Sequence, residues 1–113
     1  MSGVFAIGIT KRPKFPEFSR LNDRIDSFEN SKNFVVFKTK LAEAGFYFST
    51  NNPDYVTCYS CGGKLRKPVE ENYPFIEHAK NFPYCTYLLC MQGKEFVCSV
   101  YSSKEVKTSQ ETI

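Results

Sequence analysis

The strongest constraint on this chain is a spacing. Cys58 and Cys61 are separated by two residues, the single histidine, His78, follows after sixteen more, and Cys85 comes six residues beyond it. Two cysteines on a tight turn offer one edge of a tetrahedron. Gly62 and Gly63 behind them let the backbone wrap so that amides face the sulfurs. Three thiolates and one imidazole form a closed set with no open position for water or substrate, which is the chemistry of a structural zinc ion rather than a catalytic one. A thioredoxin-like redox pair is the competing reading of C-x-x-C, but such a pair opens a helix within a βαβ pattern. Here the motif ends the alternating run "YVTCYSC" and enters a Gly-Gly turn, so zinc is the favoured reading. In a single domain of 113 residues the metal is expected to supply several kcal/mol of folding free energy, against about 10 kcal/mol for zinc-finger peptides. Three thiolates on Zn2+ leave the centre near −1, and Arg24 is the candidate cation to offset it.

Composition narrows the setting. A hydrophobic fraction of 42%, with 11 Phe and 7 Tyr, excludes a disordered chain, and no run approaches the roughly 18 apolar residues of a membrane span. In "MSGVFAIGITKRPKF" the basic residues follow the short apolar stretch, the wrong order for a secretory signal. The expectation is a soluble protein of the cytoplasm, with the nucleus also open. An odd number of cysteines, five, fits metal ligands in a reducing compartment better than disulfides. Cys90 and Cys98 fall outside the metal spacing and are expected to be buried as small apolar residues. The net charge of +3 is uneven: residues 1–40 hold 8 basic against 4 acidic residues, and residues 41–113 hold 7 against 8. A basic arm can touch nucleic acid or an acidic partner, but a solvated surface is the simpler reading.

Pattern along the chain divides it into a basic arm over 1–19, a zinc domain over 20–101 and a polar tail over 102–113. Ser19 is placed to cap a short helix whose apolar face is Leu21, Ile25 and Phe28. "KTKLAEA" predicts a second helix stopped by Gly45. "FYFST", "YVTCYSC" and the stretch after "CGGKL" predict three short strands, the first two joined by the turn "NNPD". A helix beginning near Pro74 carries His78 and stops near Pro83. Gly93 interrupts the apolar run after Cys85, and a last helix presents Phe96, Val97, Val100 and Tyr101 on one stripe. With His78 committed to zinc, no Ser/His/Asp or Cys/His catalytic arrangement is left, so an enzyme is not expected.

Five segments in order, "RIDSF", "LAEAGFYFS", "VTCYSCGGKL", "YPFIEHAKNFPYC" and "YLLCMQGKEFV", resemble the baculoviral IAP repeat (BIR) domain of inhibitor-of-apoptosis proteins. The resemblance implies an α+β fold, a small zinc-stabilised domain with a three-stranded antiparallel sheet surrounded by short helices. It also implies Cys58, Cys61, His78 and Cys85 as the ligands of one structural Zn2+ ion. Related domains block programmed cell death by binding proteins: caspases, pro-death antagonists or other IAPs. A single repeat without a RING-type Cys/His cluster after residue 98 further suggests a viral or virus-derived protein.

Many BIR domains capture a free N-terminal alanine in a groove that begins at the segment matching "GGKL". A carboxylate takes the ammonium, a Trp wall packs on the methyl, and the peptide adds a strand to the sheet edge. On this chain the groove would involve Leu65, Arg66, Pro68, Glu70, Glu71, Asn72, Glu77 and Asn81. Leu65 keeps the family's apolar residue. Pro68 stands where peptide-binding members carry Trp, Asn72 where they carry the acid, and Asn81 where an aromatic is common. Pro68 also removes an N–H from the strand edge. The expectation is therefore a degenerate groove, with Glu70 and Glu71 as nearby substitutes for the acid. Two other functions compete: a mitotic or chromatin scaffold of the single-BIR type, and a basic zinc module that binds nucleic acid. The first normally carries a long C-terminal helix, and the second a larger excess of Lys and Arg.

Overall fold

The computed structural model describes residues 12–66 and 74–102. Its centre is an antiparallel sheet in the order β1 (Phe46–Phe48), β2 (Tyr55–Cys58), β3 (Lys64–Arg66). Phe46 lies opposite Cys58, and Val56 opposite Leu65, so the register ties the core directly to the first zinc ligand. Alternation along β1 puts Phe46 and Phe48 on the core side with Phe28, Phe34, Val56 and Leu65. Tyr47 points to the other face, yet it too is buried. The residues that cover it come from the N-terminal segment: Phe18 stacks on its ring at 4.0 Å and Phe15 meets it edge-on at 5.6 Å. Residues 12–19, grouped with the arm on sequence, thus include a packed helical turn, Pro16–Phe18.

Short helices surround the sheet: α1 (Leu21–Ser27), α2 (Lys38–Glu43), α3 (Pro74–Asn81), α4 (Thr86–Gln92) and a fifth, α5, over residues 94–102. The α+β architecture is the expected one. After α2, Gly45 takes φ +101°, a left-handed conformation that lets the chain turn straight into β1.

Three sequence expectations are corrected. Arg20, not Ser19, is the N-cap of α1, with extended backbone; Ser19 instead directs its hydroxyl back to the Pro16 carbonyl at 2.7 Å. The buried residues around α1 are Arg24 and Phe28, while Leu21 is 41% exposed, because Arg24 finds its acceptors on distant segments that local periodicity cannot register. Cys90 and Cys98 are exposed rather than buried. Leu88 is the buried residue of α4, and a residue two positions on lies roughly 200° around the helix. Val97 is buried on α5, which turns Cys98 about 100° away from the core.

Candidate metal centre

Among the described residues, one group of side chains is placed to hold a metal ion: Cys58, Cys61, His78 and Cys85, whose ligand atoms lie within 4.8 Å of one another. Four separate pieces of local structure bring them there. Cys58 ends β2, and the turn closes on itself through Gly62 N–H to the Cys58 carbonyl (2.9 Å) and Cys58 N–H to the Gly63 carbonyl (2.9 Å). That turn delivers Cys61. Helix α3 presents His78 from its buried face, and Cys85 is held at the N-cap of α4.

The donor set fits zinc. Zn–S bonds of about 2.3 Å at tetrahedral angles require sulfurs about 3.8 Å apart. The Cys58 and Cys85 sulfurs are 3.6 Å apart, and Cys61 Sγ lies 3.8 Å from His78 Nε2. The His78 Nδ1–H donates to the Ala44 carbonyl at 2.9 Å, which fixes the tautomer and turns the Nε2 lone pair toward the thiols. Backbone amides of Ser60 and Gly63 donate to the sulfurs of Cys58 and Cys61 at 3.4 and 3.3 Å. Such bonds favour thiolate, the form a metal needs.

Without a metal ion the protons of the cluster are shared unevenly among its members. Hydrogen bonding to Cys61 and Cys85, with burial, pushes the Cys58 thiol up, while the bond from Cys58 holds Cys85 far down as the thiolate that accepts it. Burial works against protonation of His78, but its contacts with Cys61 and Cys85 win and raise it to about 9. Without metal, four mutually close donors share protons; with metal, those protons leave. The site is closed: Cys58, His78 and Cys85 are buried, and Cys61 is the one half-buried ligand.

Arg24 is 2% exposed, with its guanidinium over the rings of Tyr59 and Tyr87. Its Nε donates to the Ala42 carbonyl (2.8 Å), Nη1 to the carbonyls of Phe18 and Ser19 (2.9 Å each), and Nη2 to the Tyr87 hydroxyl (3.3 Å). None of these bonds reaches a cysteine. The guanidinium joins the N-terminal segment, α2 and α4 into one body. Tyr87 completes the tie by donating its own hydroxyl to the Glu43 carbonyl at 2.6 Å. Sequence reasoning singled out this arginine for its charge and missed its role as a crosslink.

Of the predicted groove residues, Leu65 is buried at the centre of β3, and Arg66 beside it is exposed. Among the described residues, β3 pairs with β2 on one side and with no strand on the other. Glu77 and Asn81 share one face of α3: the Asn81 amide donates to the Glu77 carbonyl (2.8 Å), and the Glu77 carboxylate faces Lys80 at 3.9 Å. Pro68, Glu70, Glu71 and Asn72 lie outside the described residues.

Comparison with known proteins places this centre in a family. Residues 24–89 match the family described as "BIR: Inhibitor of Apoptosis domain". The chain is 36% identical over 107 residues to Baculoviral IAP repeat-containing protein 7 of Xenopus tropicalis, covering 92% of this chain and 29% of that protein. It is 40% identical over 81 residues to human Baculoviral IAP repeat-containing protein 3, covering 71% and 13%. Against the rat protein named E3 ubiquitin-protein ligase XIAP it is 34% identical over 110 residues, covering 91% and 21%. The chain therefore spans less than a third of the length of these relatives. All three are vertebrate proteins and lend no support to a viral origin. With the four ligands, the sheet order and the matched span in agreement, the chain belongs to the inhibitor-of-apoptosis family and carries its BIR domain.

Proposed function

We propose that this BIR domain is a non-enzymatic, zinc-stabilised binding module of the cytoplasm that suppresses cell death by engaging caspases, pro-death antagonists or other IAPs. The observation that carries the reading is the closed Cys3His cluster within a family-matched span: every ligand position is filled by protein, so the metal shapes a surface instead of activating water.

The surface is read as a BIR groove with its amine-binding end lost. The edge of β3 and the buried Leu65 supply the strand-pairing platform. The sequence contains no Trp, and Asn72 in place of an acid offers the peptide ammonium an amide instead of a charge. Each loss weakens binding by about 1–3 kcal/mol, so the two together remove two or more decades of affinity. The test is a titration of the zinc-loaded protein with a short peptide bearing a free N-terminal alanine and with its acetylated form. The expected result is that neither binds at micromolar concentration, while purified caspases or a second IAP repeat do. Micromolar binding that acetylation abolishes would restore the alanine groove and overturn this part of the reading. Failure of all these protein partners would overturn the module itself.

A further inference from the structure

With Zn2+ bound, the Cys3His centre would carry a charge near −1, and the four hydrogen bonds shown for the buried Arg24 guanidinium all go to oxygen. A different cation, Lys14, is carried on a segment paired with the loop that holds two of the sulfurs. The Lys14 amide donates to the Ser60 carbonyl (3.1 Å) and the Phe15 amide to the Tyr59 carbonyl (2.9 Å), so this short segment is laid directly along the loop between Cys58 and Cys61. The Lys14 side chain then crosses Gly62, the residue after Cys61. A Cβ on Gly62 would lie 2.6 Å from Lys14 Cδ and 3.4 Å from its Cε. Gly62 also has φ +77°, a left-handed conformation that favours glycine there.

Beyond that crossing is a small cavity of about 60 Å³ lined by Arg12, Lys14, Ser60, Cys61, Tyr84 and Thr86. Two of its lining residues are cations and none is an acid. Cys61 is the one candidate ligand that is only half buried, and besides this cavity it lines a larger one of about 500 Å³ on the Phe82–Tyr84 side, so this segment covers one of its two open sides. The segment is fixed beyond Lys14 as well: Phe15 and Phe18 pack on Tyr47, and the Phe18 and Ser19 carbonyls accept from Arg24.

We propose that residues 12–18 form a strap across the zinc knuckle in which Lys14 is the counter-cation of the Cys61 thiolate, and that this strap slows exchange of the metal and attack on that sulfur. A cation beside a metal-bound thiolate lowers its electron-pair availability, and the lysine stem shields it. The strap residues lie outside the family-matched span, which begins at residue 24, and the inference does not depend on which protein the domain binds.

The experiment uses the full zinc-loaded chain with Lys14→Met, which keeps the stem and removes the charge, and Lys14→Arg, which keeps the charge. Zinc release to an excess of an uncharged chelator, and alkylation of each cysteine by iodoacetamide followed by mass spectrometry, are measured at low and high salt. Lys14→Met is expected to release zinc and alkylate Cys61 about two- to fivefold faster, the size of a solvent-accessible ion pair. The difference should shrink at 1 M salt, where the Debye length falls to about 3 Å. Lys14→Arg should match the native rates. Native rates in Lys14→Met would overturn the proposal, as would equal acceleration in both variants or a difference that salt leaves unchanged.

Discussion

Replacing Arg24 by Met tests the central crosslink most directly. The substitution keeps a buried aliphatic stem and removes three bonds to backbone carbonyls, one to Tyr87, and the contacts over the rings of Tyr59 and Tyr87 at 4.8 and 5.2 Å. A hydrogen bond from a charged group contributes about 1.5–3 kcal/mol, and orphaned carbonyls carry a cost of their own. Against that, the variant no longer has to desolvate a guanidinium, which returns several kcal/mol. Because Phe18 and Ser19 lie near the surface and their carbonyls can rehydrate, the net loss is set at about 3 kcal/mol. For a domain of this size that lowers Tm by about 12–24 °C. The assay is urea unfolding at saturating zinc, followed by circular dichroism, with Arg24→Lys as a second variant that retains charge but not the fork of donors. Both variants should be destabilised, Lys less than Met. A loss below about 1 kcal/mol in Arg24→Met would refute the crosslink. Unchanged stability at saturating zinc, combined with a tenfold weaker zinc affinity, would show instead that Arg24 serves the metal through its charge.

Three further outcomes follow from the same geometry. Chelation should abolish the cooperative thermal transition of this small domain; a metal-free protein that still melts cooperatively would contradict a metal-dependent fold. Zinc must displace the proton that the neighbouring thiols hold on His78, whose pKa is raised from 6.5 to about 9, so zinc affinity, read by competition with a chromophoric chelator, should climb from pH 6 to 9; a flat profile would contradict the assignment. Ellman's reagent should titrate two thiols rapidly in zinc-loaded protein, Cys90 and Cys98, and the other three only after chelation and denaturation. Rapid reaction of three or more would mean that the cluster is open.

The features that were legible in the sequence are those set by short-range chemistry. Gly45 stops α2 where a left-handed residue is required, Pro74 opens α3, and the alternation of "YVTC" makes β2. The four residues that could hold the metal were legible because metal coordination restricts residue type and spacing together. What escaped was long-range. Arg24 and Ala42 are 18 positions apart, and Arg24 and Tyr87 are 63 apart; neither pairing leaves a periodic trace. Cys90 and Cys98 were misjudged because a cysteine in an apolar run gives no sign of which side of a short helix it occupies. Tyr47 posed the same problem in reverse, since its cover is supplied by Phe15 and Phe18 from another part of the chain.

How the two halves of the metal site find each other rests on a contact that the ligand spacing does not reveal. Gly63 closes the turn that carries Cys58 and Cys61; Phe82 lies between His78 and Cys85, its amide bonded to the His78 carbonyl and its carbonyl to the Cys85 amide. A Cβ built on Gly63 would lie 2.7 Å from three atoms of the Phe82 ring, so the ring sits flat against the glycine. Gly63→Ala therefore pushes the C-terminal pair of ligands away from the N-terminal pair. Overpacking of this kind costs about 1–3 kcal/mol, equivalent to roughly 5- to 150-fold in zinc affinity. Shortening the ring should relieve it: Gly63→Ala with Phe82→Leu is expected to bind zinc more tightly than Gly63→Ala alone, giving a coupling energy of the opposite sign to the single losses. Strictly additive effects, or native zinc affinity in Gly63→Ala, would mean that the turn and the helix end are aligned by some other contact.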